Sequence, residues 1–231
     1  MPGTHVERLV EQLTRGDEDG AMADELRRWL AESRRLRAFV ERHRDKLRKK
    51  LRSAREPGAR LDVRAEILVA RALLADRRME LGWETSGSAA GGPDFQLVYR
   101  DHVALNLEVT RWRGDPAALE RQVATKLRQL PPSAANALIL VGPRESPVDL
   151  DDVLGSLEER ADRGDDAFFV RHGLDGVRGY RARRRRLGGV FAWPHSRATR
   201  AAQWTNPTAR IPLPPDAARA IAVALQRKER G

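Results

Sequence analysis

The sequence predicts an α/β fold, a mixed sheet flanked by helices, preceded by a basic helical extension. From residue 58 onward, segments with helical spacing of apolar residues alternate with short apolar runs typical of strands. Before that point, residues 24–55 contain 13 basic and 5 acidic residues, so most of the chain's excess charge lies there. We therefore predict a helical basic extension over 1–57 and an α/β domain over 58–231.

The extension is expected to contain two helical segments. Apolar residues at helical spacing predict a short helix over 4–15, and the Gly/Asp-rich stretch 16–20 predicts a break. An apolar stripe predicts a long helix or a helix pair over 24–55, which Pro57-Gly58 ends.

The α/β domain is expected to begin with a helix that Asp62 caps and that runs to about Arg78. The basic stretch 178–186 is predicted to be a loop. Further strands are predicted at 82–86, 94–99, 103–112, 137–141, 168–170 and 189–193, and further helices at 116–130, 149–163 and 215–228.

Composition excludes several classes of protein. The chain has 231 residues, a net charge of +10 and no cysteine, so disulfides, thiolate catalysis and cysteine metal sites are excluded. The longest run without a charged residue is 15 residues, at 129–143, which is shorter than the ~20 that a membrane span needs. The first 20 residues contain no apolar block of a secretory signal. We therefore expect a cytoplasmic protein with no membrane partner.

Glu66 falls on the packed face of its predicted helix, together with Val63, Ala70 and Leu73. A carboxylate there is costly unless a positive group meets it. One interpretation is an ion pair with one of the many arginines, and the other is a role in a site.

A hairpin carries the strongest chemical pattern. If the turn 100–102 joins the strands and Tyr99 pairs with Val103, the large apolar residues share one face and Asp94 stands opposite Glu108 on the other. Facing carboxylates repel unless they share a proton or a cation, and Mg²⁺ takes such oxygen ligands. An ordinary exposed hairpin with its acids bridged to arginines remains the alternative. The small residues of 86–93 suit the approach of a bulky polymer.

Pro93-Asp94, followed by Glu108-Val109-Thr110 and preceded by Glu66 on a helix, resembles the PD-(D/E)XK nuclease superfamily, the restriction-endonuclease-like proteins. The order helix, strand, hairpin, helix, strand over about 60–142 resembles its core as well. The resemblance implies that Asp94, Glu108 and the Val109 carbonyl hold Mg²⁺ (or Mn²⁺). It also implies that Glu66 is an accessory acid, and that the protein hydrolyses phosphodiester bonds in DNA.

The chain departs from the family pattern at position 110, where Thr replaces the lysine that activates the attacking water. The family tolerates relocation of that lysine to the next helix, where Gln122 and Lys126 lie four residues apart on one face. Lys126 is the only lysine between Leu51 and Arg227, and lysine, unlike arginine, can titrate. The alternatives are a surface lysine and a site that has lost activity, in a protein that binds nucleic acid or a partner protein.

Clustered cations predict contact with the phosphates of nucleic acid, most simply DNA. A solvated helix face, or a homodimer through the N-terminal helix, is the alternative for the first cluster. The arginines of 181–186 carry the same ambiguity, with a lipid surface as a weaker option. The residues assigned to phosphate contact are Arg44, Lys46, Arg48, Lys49 and Lys50 in the extension, and Arg111 and Arg113 after the hairpin.

No other motif competes with this interpretation. The five histidines have no metal-ligand spacing, and the glycines form neither a Walker-type nor a dinucleotide-binding motif.

Overall fold

The computed structural model describes residues 4–14, 20–83, 92–143, 148–194 and 201–226. The chain divides into two units, Met1–Arg77 and Arg78–Gly231. The division falls after the helix that begins at Pro57, so this helix groups with the basic extension rather than with the sheet, where the sequence had placed it.

Helices form the first unit. The segment 24–55 is neither one long helix nor a pair, because short breaks at Ser33 and His43 divide it among three helices. Ser33 caps the middle helix, its hydroxyl accepting a hydrogen bond from the Leu36 N–H at 3.2 Å. The helices of this unit are α1 (His5–Thr14), α2 (Gly20–Glu32), α3 (Arg34–Arg42), α4 (Arg44–Ser53) and α5 (Pro57–Leu74).

The prediction that Asp62 caps the fifth helix is wrong, because α5 begins at Pro57 with Glu56 as its N-cap. Proline suits the first turn, where its fixed φ is helical and its missing N–H would have no helical partner. Pro57-Gly58 therefore starts a helix instead of only ending one. Part of the predicted break at 16–20 lies outside the described residues.

The second unit is an α/β structure with a six-stranded mixed sheet in the order β1-β2-β3-β4-β5-β6. Strands β1 to β3 are antiparallel, β3 to β5 are parallel, and β6 is antiparallel to β5. The elements are β1 (Met79–Trp83), β2 (Phe95–Tyr99), β3 (Val103–Arg111), α6 (Pro116–Leu127), β4 (Ala135–Val141), α7 (Leu150–Asp162), α8 (Asp166–Arg171), α9 (Gly176–Arg184), β5 (Leu187–Trp193), β6 (Ala202–Thr205) and α10 (Pro215–Gln226).

Two predictions in the C-terminal half are wrong. The apolar run 168–170, predicted as a strand, lies in α8, and the arginine-rich stretch predicted as a loop forms most of α9. Asp165 starts α8 by accepting a hydrogen bond from the Phe168 N–H at 3.1 Å, and Tyr180 anchors α9 in the core. Strand β6 was not predicted. The predicted ends at 84–86 and 227–228 lie outside the described residues.

The predicted register of the hairpin is confirmed. Tyr99 pairs with Val103 and Phe95 pairs with Leu107, which places the next position, Asp94, at the level of Glu108. The turn places Arg100 and Asp101 at φ values of 51° and 64°.

Helices α6 to α9 form one apolar cluster with the sheet. From β4 the cluster takes Leu138 and Leu140, which pair in register with Glu108 and Thr110 of β3. Paired residues of neighbouring strands project to the same side of a sheet, so Glu108 lies on the side that carries this cluster. None of the helices in the described part of the chain combines the length and apolar character that crossing a bilayer requires.

Candidate active site

Three elements of the second unit bring together Asp94, Glu108 and Lys126. Asp94 immediately precedes β2, Glu108 lies in β3, and Lys126 lies in the last turn of α6. The hairpin register fixes the first two, while the packing of α6 on the same side of the sheet supplies the third.

Asp94 links the start of β2 to β3 through its side chain. Its Oδ2 accepts a hydrogen bond from the Val109 N–H at 2.8 Å. The residue predicted to contribute a carbonyl to the metal therefore uses its N–H to orient one of the predicted carboxylate ligands. Whether Val109 also serves through its carbonyl stays a prediction.

Glu108 is the most enclosed group of the site, with 2% of its side chain exposed. Its Oε1 accepts a hydrogen bond from Lys126 Nζ, which makes an ion pair. Its Oε2 is buried, and no partner for it exists among the residues that the structure describes. A buried oxygen without a donor is costly, so this atom can accept a ligand.

Burial raises the pKa of Glu108 to about 7, and the negative charge of Asp94 adds to the rise. Lys126 opposes both effects through its charge and its hydrogen bond, and a hydrogen bond from the Asp94 backbone also lowers the pKa. Each influence has a physical origin: burial removes water from the charged carboxylate, a like charge repels it, and an ammonium attracts it. Glu108 therefore exchanges its proton near neutral pH, as groups at functional sites often do.

Gln122 lies one turn before Lys126 on α6, as the spacing predicted. Its side-chain Oε1 is buried and has no hydrogen-bond partner within the described ranges. Thr110, which stands where the family pattern has lysine, is half-buried two residues beyond Glu108 in β3. Its hydroxyl is neutral, so Lys126 supplies the ammonium contact to Glu108.

Glu66 is buried on the packed face of α5, as predicted, and one of its partners is a lysine. Lys50 Nζ donates to Glu66 Oε2 at 2.6 Å. Both residues belong to the first unit. The two residues of this ion pair were predicted to have separate roles: Lys50 was expected to contact phosphate, and Glu66 to assist catalysis.

The other basic residues of α4 are mostly accessible. Arg44, Lys46 and Lys49 are exposed, and Arg48 forms an ion pair with Asp45 at 3.1 Å. A groove of about 490 Å³ lies along this helix. It adds two arginines to the predicted set, and its lining residues are Asp45, Arg48, Lys49, Arg52, Ser53 and Arg55.

The arginines after the hairpin occupy different environments. Arg111 ends β3 and is half-buried, whereas Arg113 is exposed. Two arginines of α9 are engaged within their own unit: Arg181 pairs with Asp162 at 3.0 Å, and Arg184 pairs with Glu158 at 2.8 Å.

The donor set suits a hard divalent cation. The described residues contain no cluster of three or more His, Cys, Asp or Glu side chains that could enclose a metal ion. Mg²⁺, however, binds through one or two carboxylates and completes its shell with water and substrate phosphate. Asp94 and the unpartnered Oε2 of Glu108 meet that smaller requirement.

We compared the chain with known protein families, curated proteins and solved structures. No protein-family model, no curated protein and no solved structure matches this chain. The class defined by the structure is therefore an α/β protein with a mixed six-stranded sheet.

Proposed function

We propose that the protein is a metal-dependent nuclease that hydrolyses phosphodiester bonds in DNA, built on a restriction-endonuclease-like core. The observation that carries this proposal is Glu108, a buried carboxylate next to Asp94 with one oxygen on Lys126 and the other without a partner. A buried carboxylate with one oxygen open suits a divalent cation, which binds through one or two carboxylates and the substrate phosphate.

The order of elements supports the proposed core. Helix α5 is followed by three antiparallel strands, then α6, and then β4 parallel to β3. This is the order that the family resemblance implies.

Asp94 and Glu108 are the residues that would hold Mg²⁺ or Mn²⁺. A bound divalent ion would polarise the phosphoryl oxygen and lower the pKa of water. In the chain itself, Asp94 is held in place by the Val109 N–H, so its orientation does not depend on the ligand.

Lys126 and Gln122 are proposed to act on the attacking water. The Lys126 ammonium would stabilise the negative charge that develops during attack, and the Gln122 Oε1 would accept a hydrogen bond that orients the water. Arg111 and Arg113 are proposed to hold the neighbouring phosphate. The accessory role of Glu66 stays a prediction, and its ion pair with Lys50 supports a role in the helical unit instead.

The basic groove of α4 is proposed to bind the phosphate backbone. Cations along one helix neutralise phosphates and release counterions, independently of sequence. This surface serves the nuclease and the alternative function equally well.

The alternative is a protein of the same fold that binds nucleic acid or a partner protein without cutting. Thr110 favours it, because the position that would carry the activating ammonium bears a neutral side chain.

A cleavage assay tests the proposal. The full-length protein is incubated with circular and linear DNA, single- and double-stranded, with Mg²⁺ or Mn²⁺ or with EDTA. We expect cutting only with the metal, and we expect Asp94→Asn and Glu108→Gln to abolish it. Glu80→Gln, an exposed carboxylate of β1, is the matched control and should cut normally.

Thermal unfolding with and without Mn²⁺ separates the two functions. A ligand that binds only the folded state raises Tm, so Mn²⁺ should stabilise the wild type and not the Glu108→Gln variant. Stabilisation without cutting of any DNA form would support the binding protein. If Mn²⁺ neither stabilised the protein nor supported cutting, the proposed metal site would be refuted.

A further inference from the structure

A row of three amide side chains crosses the sheet beside the proposed metal site. Gln96 of β2 pairs in register with Asn106 of β3, and Asn106 pairs with Asn136 of β4. Gln96 lies two residues after Asp94 in the chain. Asn106 likewise lies two residues before Glu108. Side chains two residues apart in a strand project to the same side of the sheet, about 7 Å from each other, so the row borders the two carboxylates.

Asn136 fixes the orientation of this row. Its side chain is fully buried, and its Nδ2 donates to the backbone carbonyls of Pro131, Ala134 and Arg186 at 3.0, 2.8 and 2.9 Å. Its Oδ1 accepts a hydrogen bond from Asn106 Nδ2 at 3.2 Å. Because the Nδ2 of Asn106 faces β4, the Oδ1 of the same amide is directed away from β4, towards β2.

Asn106 and Gln96 leave hydrogen-bonding groups unused. Asn106 is 8% exposed, and among the residues that the structure describes none donates to its Oδ1. The half-buried amide of Gln96 has no hydrogen-bond partner within the described ranges either, and Gly82, which pairs with it on β1, has no side chain to supply one. Asparagine is uncommon in strands, and an almost buried acceptor without a donor is costly. The pair is therefore suited to a ligand that brings a donor.

This side of the sheet reaches the surface one level further from the carboxylates. Glu80, Val98 and Ala104 pair across β1, β2 and β3 at that level, and Glu80 and Ala104 are exposed. Neither this level nor the level of Gln96 and Asn106 contains a lysine or an arginine in these three strands. In contrast to the α4 groove, the amide row thus offers neutral hydrogen bonds rather than positive charge.

We propose that Gln96 and Asn106 bind the nucleobase next to the phosphate held at the proposed metal site. The inference rests on the proposed function, because it takes a nucleic-acid strand as the ligand of the carboxylates. Asn106 Oδ1 is an acceptor and requires a donor, whereas a phosphodiester and a deoxyribose within a strand have no donor. Base edges carry donors, and the Gln96 amide, which both donates and accepts, can bind the same edge.

A ribose 2′-hydroxyl is the other group of a nucleotide that donates a hydrogen bond, and only RNA carries it. The two donors differ in what removes them. Loss of the base removes the first from any strand, whereas the change from ribose to deoxyribose removes the second and leaves the base in place.

Binding of single-stranded dodecamers tests the proposal. The full-length protein is titrated, by fluorescence anisotropy in EDTA at constant ionic strength, with oligodeoxyadenylate, with oligoriboadenylate and with an abasic deoxyribose-phosphate strand of the same length. The abasic strand keeps the phosphate charges and lacks the base edges. Because EDTA removes the metal, no strand is cut, and the result does not depend on hydrolysis.

The decisive variant is Gln96→Met, which keeps the length of the side chain and removes its hydrogen-bonding groups. It should weaken binding of the deoxyadenylate strand by about three- to tenfold, the size of a lost neutral hydrogen bond, and leave binding of the abasic strand unchanged. Gln203→Met makes the same chemical change at an exposed position of β6 and should alter neither affinity. Asn106→Leu should act like Gln96→Met, but it also removes the hydrogen bond to Asn136 and lowers Tm, so Gln96→Met decides the test.

Equal weakening of the deoxyadenylate and riboadenylate strands by Gln96→Met would support the base as the donor. An effect confined to the riboadenylate strand would overturn the base contact in favour of the hydroxyl. The proposal would also be overturned if Gln96→Met changed the affinities for the base-bearing and abasic strands equally or not at all. A protein that cuts no DNA but shows this base dependence would lose the proposed hydrolysis and keep the amide subsite, and a protein that cuts without it would lose only the subsite.

Discussion

Lys126 is the residue on which the proposed chemistry depends most. It is the ammonium that contacts Glu108, in a chain with a neutral threonine at position 110. Lys126→Met should lower kcat by about 10²–10³-fold, the typical cost of losing one group that stabilises the transition state. Arg163→Met, which removes an exposed cation of the sheet unit outside the proposed sites, serves as the control and should leave kcat unchanged. Equal turnover of the Lys126 variant and the wild type would assign the lysine to structure alone.

The raised pKa of Glu108 has a consequence for stability in metal-free protein. The folded state holds this proton up to about pH 7, whereas an unfolded chain releases it near the ordinary pKa of 4.5 for a glutamate. The contribution of Glu108 to the unfolding free energy is therefore full below pH 4.5 and is lost as the pH rises through 7, by at most ~3 kcal/mol.

Denaturant unfolding of wild type and Glu108→Gln in EDTA, from pH 4.5 to 8, measures this contribution. The wild type should lose stability relative to the variant over that interval, because the amide does not titrate. A constant difference between the two proteins would show that Glu108 titrates at its ordinary pKa.

The pair Asp94–Glu108 could be predicted at the residue scale because strand alternation and a charge pattern determine one register. The lysine partner of Glu66 could not be predicted. Burial of the carboxylate follows from its position on the helix, but the approach of Lys50 depends on how α4 packs against α5. Tertiary contacts of this kind cannot be predicted from the local sequence pattern.

The predicted boundaries are close to the observed ones where long apolar patterns define the strand, as in β3 and β4. The predictions are wrong where a helix cap or tertiary packing determines the secondary structure. The run Phe168-Phe169-Val170 has strand propensity, yet Asp165 caps it as a helix whose aromatic rings pack in the core. Strand β6 was not predicted because its residues alternate between partly buried and exposed, so the sequence contains no apolar run there.

The hairpin turn permits a test at the element scale. Asp101 adopts a φ of 64°, which aspartate tolerates and a β-branched residue does not. Asp101→Val should lower the unfolding free energy by about 1–2 kcal/mol, and Asp101→Gly should lower it by much less. Glu80→Val, at an exposed position of β1 where a β-branched residue is favoured, is the control. Urea unfolding measures all three variants, and equal losses for valine and glycine at position 101 would contradict this backbone assignment.

At the scale of the whole molecule, charge should govern association with DNA. The triple variant Arg48→Gln, Lys49→Gln, Arg52→Gln removes three cations from the α4 groove. The slope of log K against log salt should decrease in magnitude by about 2 to 3, since each contacted phosphate contributes ~0.9. Binding titrations from 50 to 300 mM salt provide the measurement.

A matched triple variant, Arg163→Gln, Arg171→Gln, Arg210→Gln, changes net charge equally on exposed positions of the sheet unit. Its slope should stay close to that of the wild type. If both triple variants reduced the slope equally, net charge rather than the groove would attract the DNA.

Strand β2 begins just after Asp94 and ends just before Arg100, so one short segment separates the proposed metal site from the hairpin turn. Six residues in extended conformation span about 20 Å. Substitutions within β2 that keep its alternation should be tolerated by the fold. Inserting or deleting a single residue, with the hairpin turn kept in register, would move Asp94 to the opposite side of the sheet from Glu108. In a mutational library, this strand should therefore accept changes of composition and reject changes of length.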